Sequence, residues 1–178
     1  MHIKKLIGAE EEEAFPQIAR IYCEIWKEPP WNESFWTEPE VIEDLRRQSA
    51  KKRAVILTAT NGSADIIGFT WGYQTSIAEL SQISGLPHRL WKEIIGQGIP
   101  FYVDELGVGI SHRGWGIGNA LAMKLMREIS LMPIDCVVLR TDVKAVPARK
   151  VYKKAGFQEL LMRDANHPNR TYWIKKLG

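Results

Sequence analysis

Apolar residues at Phe15, Ile18, Ile21, Tyr22 and Ile25 keep a three-to-four spacing, which predicts one helical face over Glu10 to Trp26. The acidic run Glu10 to Glu13 falls in the first turn, where carboxylates complement the helix dipole. A second helix is expected over Pro39 to Lys51, with Val41, Ile42 and Leu45 turned inward. The pattern then changes. Ala54 to Thr60 and Asp65 to Tyr73 are β-rich runs on either side of Asn61-Gly62-Ser63, the signature of a hairpin. Ile77, Leu80, Ile83, Leu90, Trp91, Ile94 and Ile95 predict one or two helices between Ser76 and Gly98, broken at Gly85-Leu86-Pro87. Pro100 to Val108 reads as a strand. Gly116 to Met132 reads as a helix that lines up Ile117, Leu121, Leu125 and Ile129. Ile134 to Thr141 is apolar on both alternations and is expected to be a strand buried on both faces. Proline opens and Gly156 closes a short helix over Pro147 to Ala155. Phe157 to Arg163 and Tyr172 to Lys176 supply a last hairpin, and His2 to Leu6 a short first strand.

The order β, α, α, β, β, helical insert, β, α, β, α, β, β predicts an α/β (α+β) fold with a mixed sheet flanked by helices. No linker or repeat divides the 178 residues, so residues 1–178 are expected to be a single domain. A net charge of +3 without a dense basic run gives no support to nucleic-acid binding. Lys51, Lys52 and Arg53 read as a solvated helix end. No apolar run nears the roughly 20 residues that span a bilayer, and no hydrophobic leader opens the chain, so the expected location is cytoplasmic. The two cysteines, Cys23 and Cys136, are far apart in apolar stretches and read as small core residues. The four histidines show no metal-ligand spacing, so no metal is expected.

The informative stretch is Arg113-Gly114-Trp115-Gly116-Ile117-Gly118, a glycine loop opening a helix after a strand. Glycines cost a helix up to about 1 kcal/mol each. Bare backbone at a helix start offers amide donors at the positive end of the dipole, which suits a phosphate or pyrophosphate, and Arg113 adds a charge. The Gly-Lys-Ser/Thr ending of a nucleotide P-loop is missing. The glycines run G-x-G-x-G rather than G-x-G-x-x-G, and Asp135 falls before the next strand, which excludes the dinucleotide fingerprint of an oxidoreductase.

That loop resembles the Q/R-x-x-G-x-G/A signature of the GCN5-related N-acetyltransferases (GNAT family). Ala148-Arg149-Lys150-Val151-Tyr152-Lys153-Lys154-Ala155-Gly156-Phe157 resembles the family's A-x-x-x-Y-x-x-x-G-F segment, at the expected distance. The resemblance implies a GNAT fold over nearly the whole chain, acetyl-CoA as cosubstrate, and acetyl transfer to a primary amine of a small molecule or peptide. Aminoglycoside 6′-type acetyltransferases are among the related activities. It further implies that the amides of Arg113, Gly114, Trp115, Gly116, Ile117, Gly118 and Asn119 hold the coenzyme pyrophosphate. The backbone of Leu106, Gly107 and Val108 would hold the pantetheine arm, on a strand that bulges and splays, with Gly107 and Gly109 compatible with that irregularity. Tyr152 would protonate the departing thiolate.

For the base, Asp104 is preferred and Glu105 is the second choice. Adjacent strand residues point to opposite faces, so at most one of them is expected to face the substrate. A water chain would serve if both are solvated. The family's coenzyme-contacting Asn is replaced by Ala145. Pro29 to Trp36 and the insert Ser76 to Gly98 flank the acyl site in the family layout. The first offers an aromatic and acidic wall for a cation, or simply anchors a loop. The second reads as a lid or dimer surface with Leu90 and Trp91 as buried anchors. The resemblance admits a homodimer. A non-catalytic acetyl-CoA sensor is the alternative to an enzyme; it would keep the loop without needing the acid and the tyrosine.

Overall fold

The computed structural model describes residues 1–178. Strands β1 (His2–Lys5), β2 (Val55–Thr60), β3 (Ile66–Gln74), β4 (Pro100–Val108), β5 (Cys136–Asp142), β6 (Gln158–Arg163) and β7 (Arg170–Lys176) form one seven-stranded sheet, in the order β1-β2-β3-β4-β5-β7-β6. Only β4 and β5 run parallel; every other neighbouring pair is antiparallel. The helices are α1 (Ala9–Trp26), α2 (Glu38–Ser49), α3 (Ile77–Ser84), α4 (His88–Ile95), α5 (Ile117–Ser130) and α6 (Val146–Lys154). Every element expected from the sequence is present, displaced by at most a few residues at its ends.

Two faces of the sheet carry separate cores. On one, α5 and α6 bury Leu121, Leu125, Ile129 and Tyr152 against Val55, Leu57, Phe101, Val103, Val137 and Leu139. On the other, α1 and α2 bury Phe15, Ile18, Tyr22 and Leu45 against Ile56, Phe69 and Trp71. Farther along that second face the insert packs α3 and α4 onto Tyr102, Val138 and Tyr172. Both start signals of the first helices on that face have a physical basis. Thr37 and Glu40 close a capping box at α2, and the acidic first turn of α1 lies over its free amides.

The insert is fixed to the sheet by Trp91, which is fully buried, donates to Ser84 at 2.9 Å and meets Tyr172 edge-on at 4.9 Å. Leu90 does not share that role. It is only half-buried, because the turn of α4 brings Trp91 and Ile95 inward instead. The segment after α2 also differs from a solvated end: Lys51 lies 3.7 Å over the Tyr73 ring, and Arg53 donates to Gln74. Both bonds pull the basic run back onto β3. Cys23 and Cys136 are buried free thiols, as the apolar setting implied. No helix is long and apolar enough to cross a membrane.

Candidate active site

The parallel pairing of β4 with β5 ends at Val103↔Leu139, although β5 continues to Asp142 and β4 to Val108. Beyond that point the two strands part, and the edge of β4 from Asp104 onward has no partner on the β5 side. On its other side β4 remains paired with β3, but the register slips. Trp71 faces Glu105 and Gly72 faces Val103, so Asp104 is an extra residue, a β-bulge. Gly72 lies against it, where an added Cβ would run into the Tyr102 carbonyl and the Phe101 ring. The irregularity therefore centres on Asp104. Gly107 lies in the regular ladder opposite Phe69, and its bareness admits that ring.

The bulge changes which way the acids point. Before it, Phe101 and Val103 face α5 and α6 while Tyr102 faces the insert. After it, Leu106 and Val108 face α5, and Gly107 faces Ile25 of α1. Strict alternation would have put Asp104 and Glu105 on opposite faces; the extra residue instead brings both to the α1–α2 face. Tyr22 donates to Glu105 at 3.2 Å, and Gln48 of α2, which accepts from Trp71 and donates to Asp44, lies near Asp104. Both carboxyls are half-buried. Burial, then the neighbouring Asp44, pushes Asp104 up to about 6, against the opposing pull of Arg140, Lys51 and Gln48. Burial and the adjacent Asp104 charge hold Glu105 well above the usual carboxylate range.

Four acidic side chains converge here, since Glu33 and Asp44 act on the same pair. Glu33 comes from the Pro29 to Trp36 segment, where both readings of that segment meet. Trp31 and Trp36 are anchored on the core, Trp31 stacked on Trp26 at 5.8 Å and Trp36 edge-on to Tyr22 at 5.7 Å. The same anchoring holds Glu33 in place, with Trp36 donating to it at 2.9 Å and Arg170 of β7 forming a part-buried ion pair with it.

Tyr152 comes from the opposite side. It is packed in the α6 core against Phe157 and Trp173, and its ionisation is disfavoured first by burial and then by the charge of Glu105. A phenol held in its protonated form can give a proton but not take one.

At the other end of the opening, a 3-10 turn (Ile110–His112) leads into the glycine loop. Gly114 and Gly116 adopt positive φ, 84° and 79°, with Gly116 as the left-handed N-cap of α5. The amides from Gly114 to Asn119 have no acceptor in the protein, and no side chain caps α5. A fan of free donors at a helix N-terminus fits a pyrophosphate. Gly118 has room for a methyl group, with Leu106 and Val151 at 3.6 Å. Arg113 is not a free cation: it pairs with Glu28 at 2.7 Å and donates to the Val108 carbonyl at 3.3 Å. It braces the loop against α1 and β4. Trp115 is largely exposed at the loop tip, and Ala145 is the buried N-cap of α6.

Glu33 is the acid of the wall expected in the Pro29 to Trp36 segment, whereas Tyr22, Asp44, Gln48, Lys51 and Arg140 are not expected from the sequence to belong to the site. Helical periodicity marks Tyr22 only as core, and nothing local to the others predicts that separate elements will meet. One signal for the bulge was present. In β4 the apolar spacing runs Phe101, Val103, Leu106, Val108, a step of three inside a period of two.

Residues 15–157 match the family model for the acetyltransferase (GNAT) family. No curated relative matches the sequence. Among solved structures, the chain is similar to a ribosomal-protein-alanine N-acetyltransferase from Brucella melitensis, with TM-score 0.71 and 15% identity over 99% of this chain and 100% of that one. It is similar to an aminoglycoside 6′-acetyltransferase type Ii, with TM-score 0.68 and 16% identity over 99% and 97%. It is also similar to a PaiA N-acetyltransferase from Thermoplasma acidophilum in complex with coenzyme A, with TM-score 0.69 and 14% identity over 99% and 100%. At these identities the shared feature is the fold.

Proposed function

Because this chain belongs to the acetyltransferase (GNAT) family, with acetyl-CoA as cosubstrate, we propose that it acetylates a primary amine of a small molecule or peptide by direct attack in a ternary complex. The observation that carries this reading is the bulge of β4, which brings Asp104 and Glu105 to one face beside the opening between β4 and β5, with Tyr152 across it. Asp104 serves as base. A carboxyl near 6 is ionised at neutral pH yet basic enough to take a proton from an ammonium group. Ionised Asp104, with Asp44 and Glu33 beside it, makes an anionic wall that attracts a cationic acceptor.

The free amine attacks the thioester carbonyl, forming the C–N bond as the C–S bond breaks; Tyr152 passes its proton to the departing sulfur, and the second proton that the nitrogen sheds on becoming an amide passes through water to restore the phenol. The unpaired edge of Leu106 to Val108 holds the pantetheine arm, and one amide of that edge polarises the carbonyl. The amides of Gly114 to Asn119 hold the pyrophosphate, with Arg113 bracing them. The two cysteines lie buried outside this arrangement, in α1 and at the start of β5, which favours direct transfer over a covalent acyl-enzyme.

Free-thiol release from acetyl-CoA, measured across a panel of aminoglycosides, polyamines and peptides with free amino termini, tests this reading. Turnover with at least one cationic amine, lost in Asp104→Asn while acetyl-CoA still binds, is the expected result. Binding of acetyl-CoA without turnover on any amine would point to the non-catalytic sensor instead.

A further inference from the structure

The first residues of β4 and β5 past their last paired position are Asp104 and Arg140. They stand one step past the last pair, where the strands begin to part at the mouth of the opening, both on the face that carries Tyr102 and Val138. Two opposite charges so placed would ordinarily close into an ion pair, yet Arg140 pairs elsewhere. Its guanidinium donates to Asp164 at 2.7 Å, and Tyr172 donates to the same carboxylate oxygen at 2.7 Å. The other oxygen of Asp164 accepts the backbone amides of Asn166 and His167 at 2.9 and 2.8 Å. Asp164 is almost fully buried and accepts all four donors, so the arginine is held by a rigid anchor. The Asp164 carboxyl would be raised by burial alone, but the bonds from Tyr172 and Arg140 outweigh burial and hold it below the usual range.

We propose that Arg140, pinned by Asp164, is a positioning residue that keeps Asp104 in its ionised form without neutralising it in a direct salt bridge. This rests on the reading of Asp104 as the base. The other groups facing the acid pair are Tyr22 from α1, Glu33 from the loop after it, and Asp44, Gln48 and Lys51 from α2 and its end. Tyr73 on β3, Tyr102 on β4 and Tyr152 on α6 complete the set. Of these only Lys51 is cationic, and its ammonium rests on the Tyr73 ring. Arg140 is the one cation fixed by a buried carboxylate. A tethered charge lowers the proton affinity of its neighbour without occupying the oxygen that must receive the substrate proton. The planar fork of arginine suits such tethering, since one edge can be bonded while the charge is shared over the whole group.

The test is direct titration of the full-length protein by carboxyl carbon NMR, with Asp104→Asn used to assign the signal. Wild-type protein should titrate near 6. In Arg140→Met the midpoint should rise by about 1 unit, raising the protonated-to-ionised ratio at a given pH about tenfold. Arg140→Lys should keep it within about 0.3 unit, because the charge remains. Where Arg140→Met alone does not fold, the double variant Arg140→Met with Asp164→Asn removes the orphaned buried carboxylate and is titrated instead. A midpoint unmoved in Arg140→Met or the double variant, or moved equally by lysine and methionine, overturns the proposal. The base reading fails on a different result, namely Asp104→Asn turning over an amine at the wild-type rate and pH profile.

Discussion

The two ends of the site are built from different materials. The proposed coenzyme end is a run of consecutive residues, Gly114 to Asn119, whose backbone amides are left free and whose side chains are small, exposed or turned away. The acceptor end has no consecutive stretch beyond Asp104 and Glu105. It is assembled from side chains of α1, the loop after it, α2, β4 and β5, and it works by charge. A backbone site depends on φ and on what must be left out. A side-chain site depends on partners brought together from distant positions. Mutation should therefore separate the two ends cleanly, with binding failing at one and chemistry at the other.

The largest effect is expected from Asp104→Asn, which should lower kcat by about 10²- to 10⁴-fold while leaving the acetyl-CoA Kd, read by calorimetry, unchanged. The same variant should be more stable than wild type. Because the folded carboxyl is raised above its unfolded value, ionisation opposes folding at neutral pH, and that opposition disappears as pH falls through about 6. A gain of about 1 to 2 kcal/mol, reduced for the partial exposure of the group, should appear in denaturant unfolding at pH 8 and vanish near pH 4. Gly116→Glu should then weaken acetyl-CoA binding by about 100-fold or more, through backbone strain and like-charge repulsion, with the fold intact by circular dichroism. Tyr152→Phe should cost kcat about tenfold through loss of the proton donor, again without a change in Kd.

A pH series should show the acceptor end alone. The rate should hold above pH 6 and fall about tenfold per unit below it as Asp104 protonates. Calorimetric binding of coenzyme A, whose partners are amides, should show no matching inflection. The smallest effect sharpens the coenzyme end. Gly118→Ala should change the Kd by less than about twofold, because the added methyl has room and alanine favours the helix. Only Gly114 and Gly116 are held by positive φ.

That contrast also explains what could be read from the chain alone. The family was legible in the loop and the Tyr152 segment because their signatures are local: glycines at fixed offsets, and a tyrosine one helix turn from a closing Gly-Phe. The element order was legible because α1, α2 and α5 each keep an unbroken apolar face. The acceptor end was legible only at Asp104 and Glu105, and their shared direction was misread because alternation assumes an uninterrupted strand. Arg140 opens the polar end of a strand whose first four residues are apolar, and nothing near it in sequence indicates that Asp164 will hold it. Arg113 was read as a free charge, because Glu28 lies 85 residues away.

The extra residue in β4 also makes the strand behave like a reading frame. Upstream of Asp104, odd-numbered positions meet α5 and α6; downstream, even-numbered positions do. Deleting one residue at the bulge would restore a uniform frame and a regular ladder with β3. The apolar residues on either side would keep their correct faces whichever of Asp104 and Glu105 were removed. Such a shortened chain would gain order in its sheet and lose the pairing of its acids in the same step.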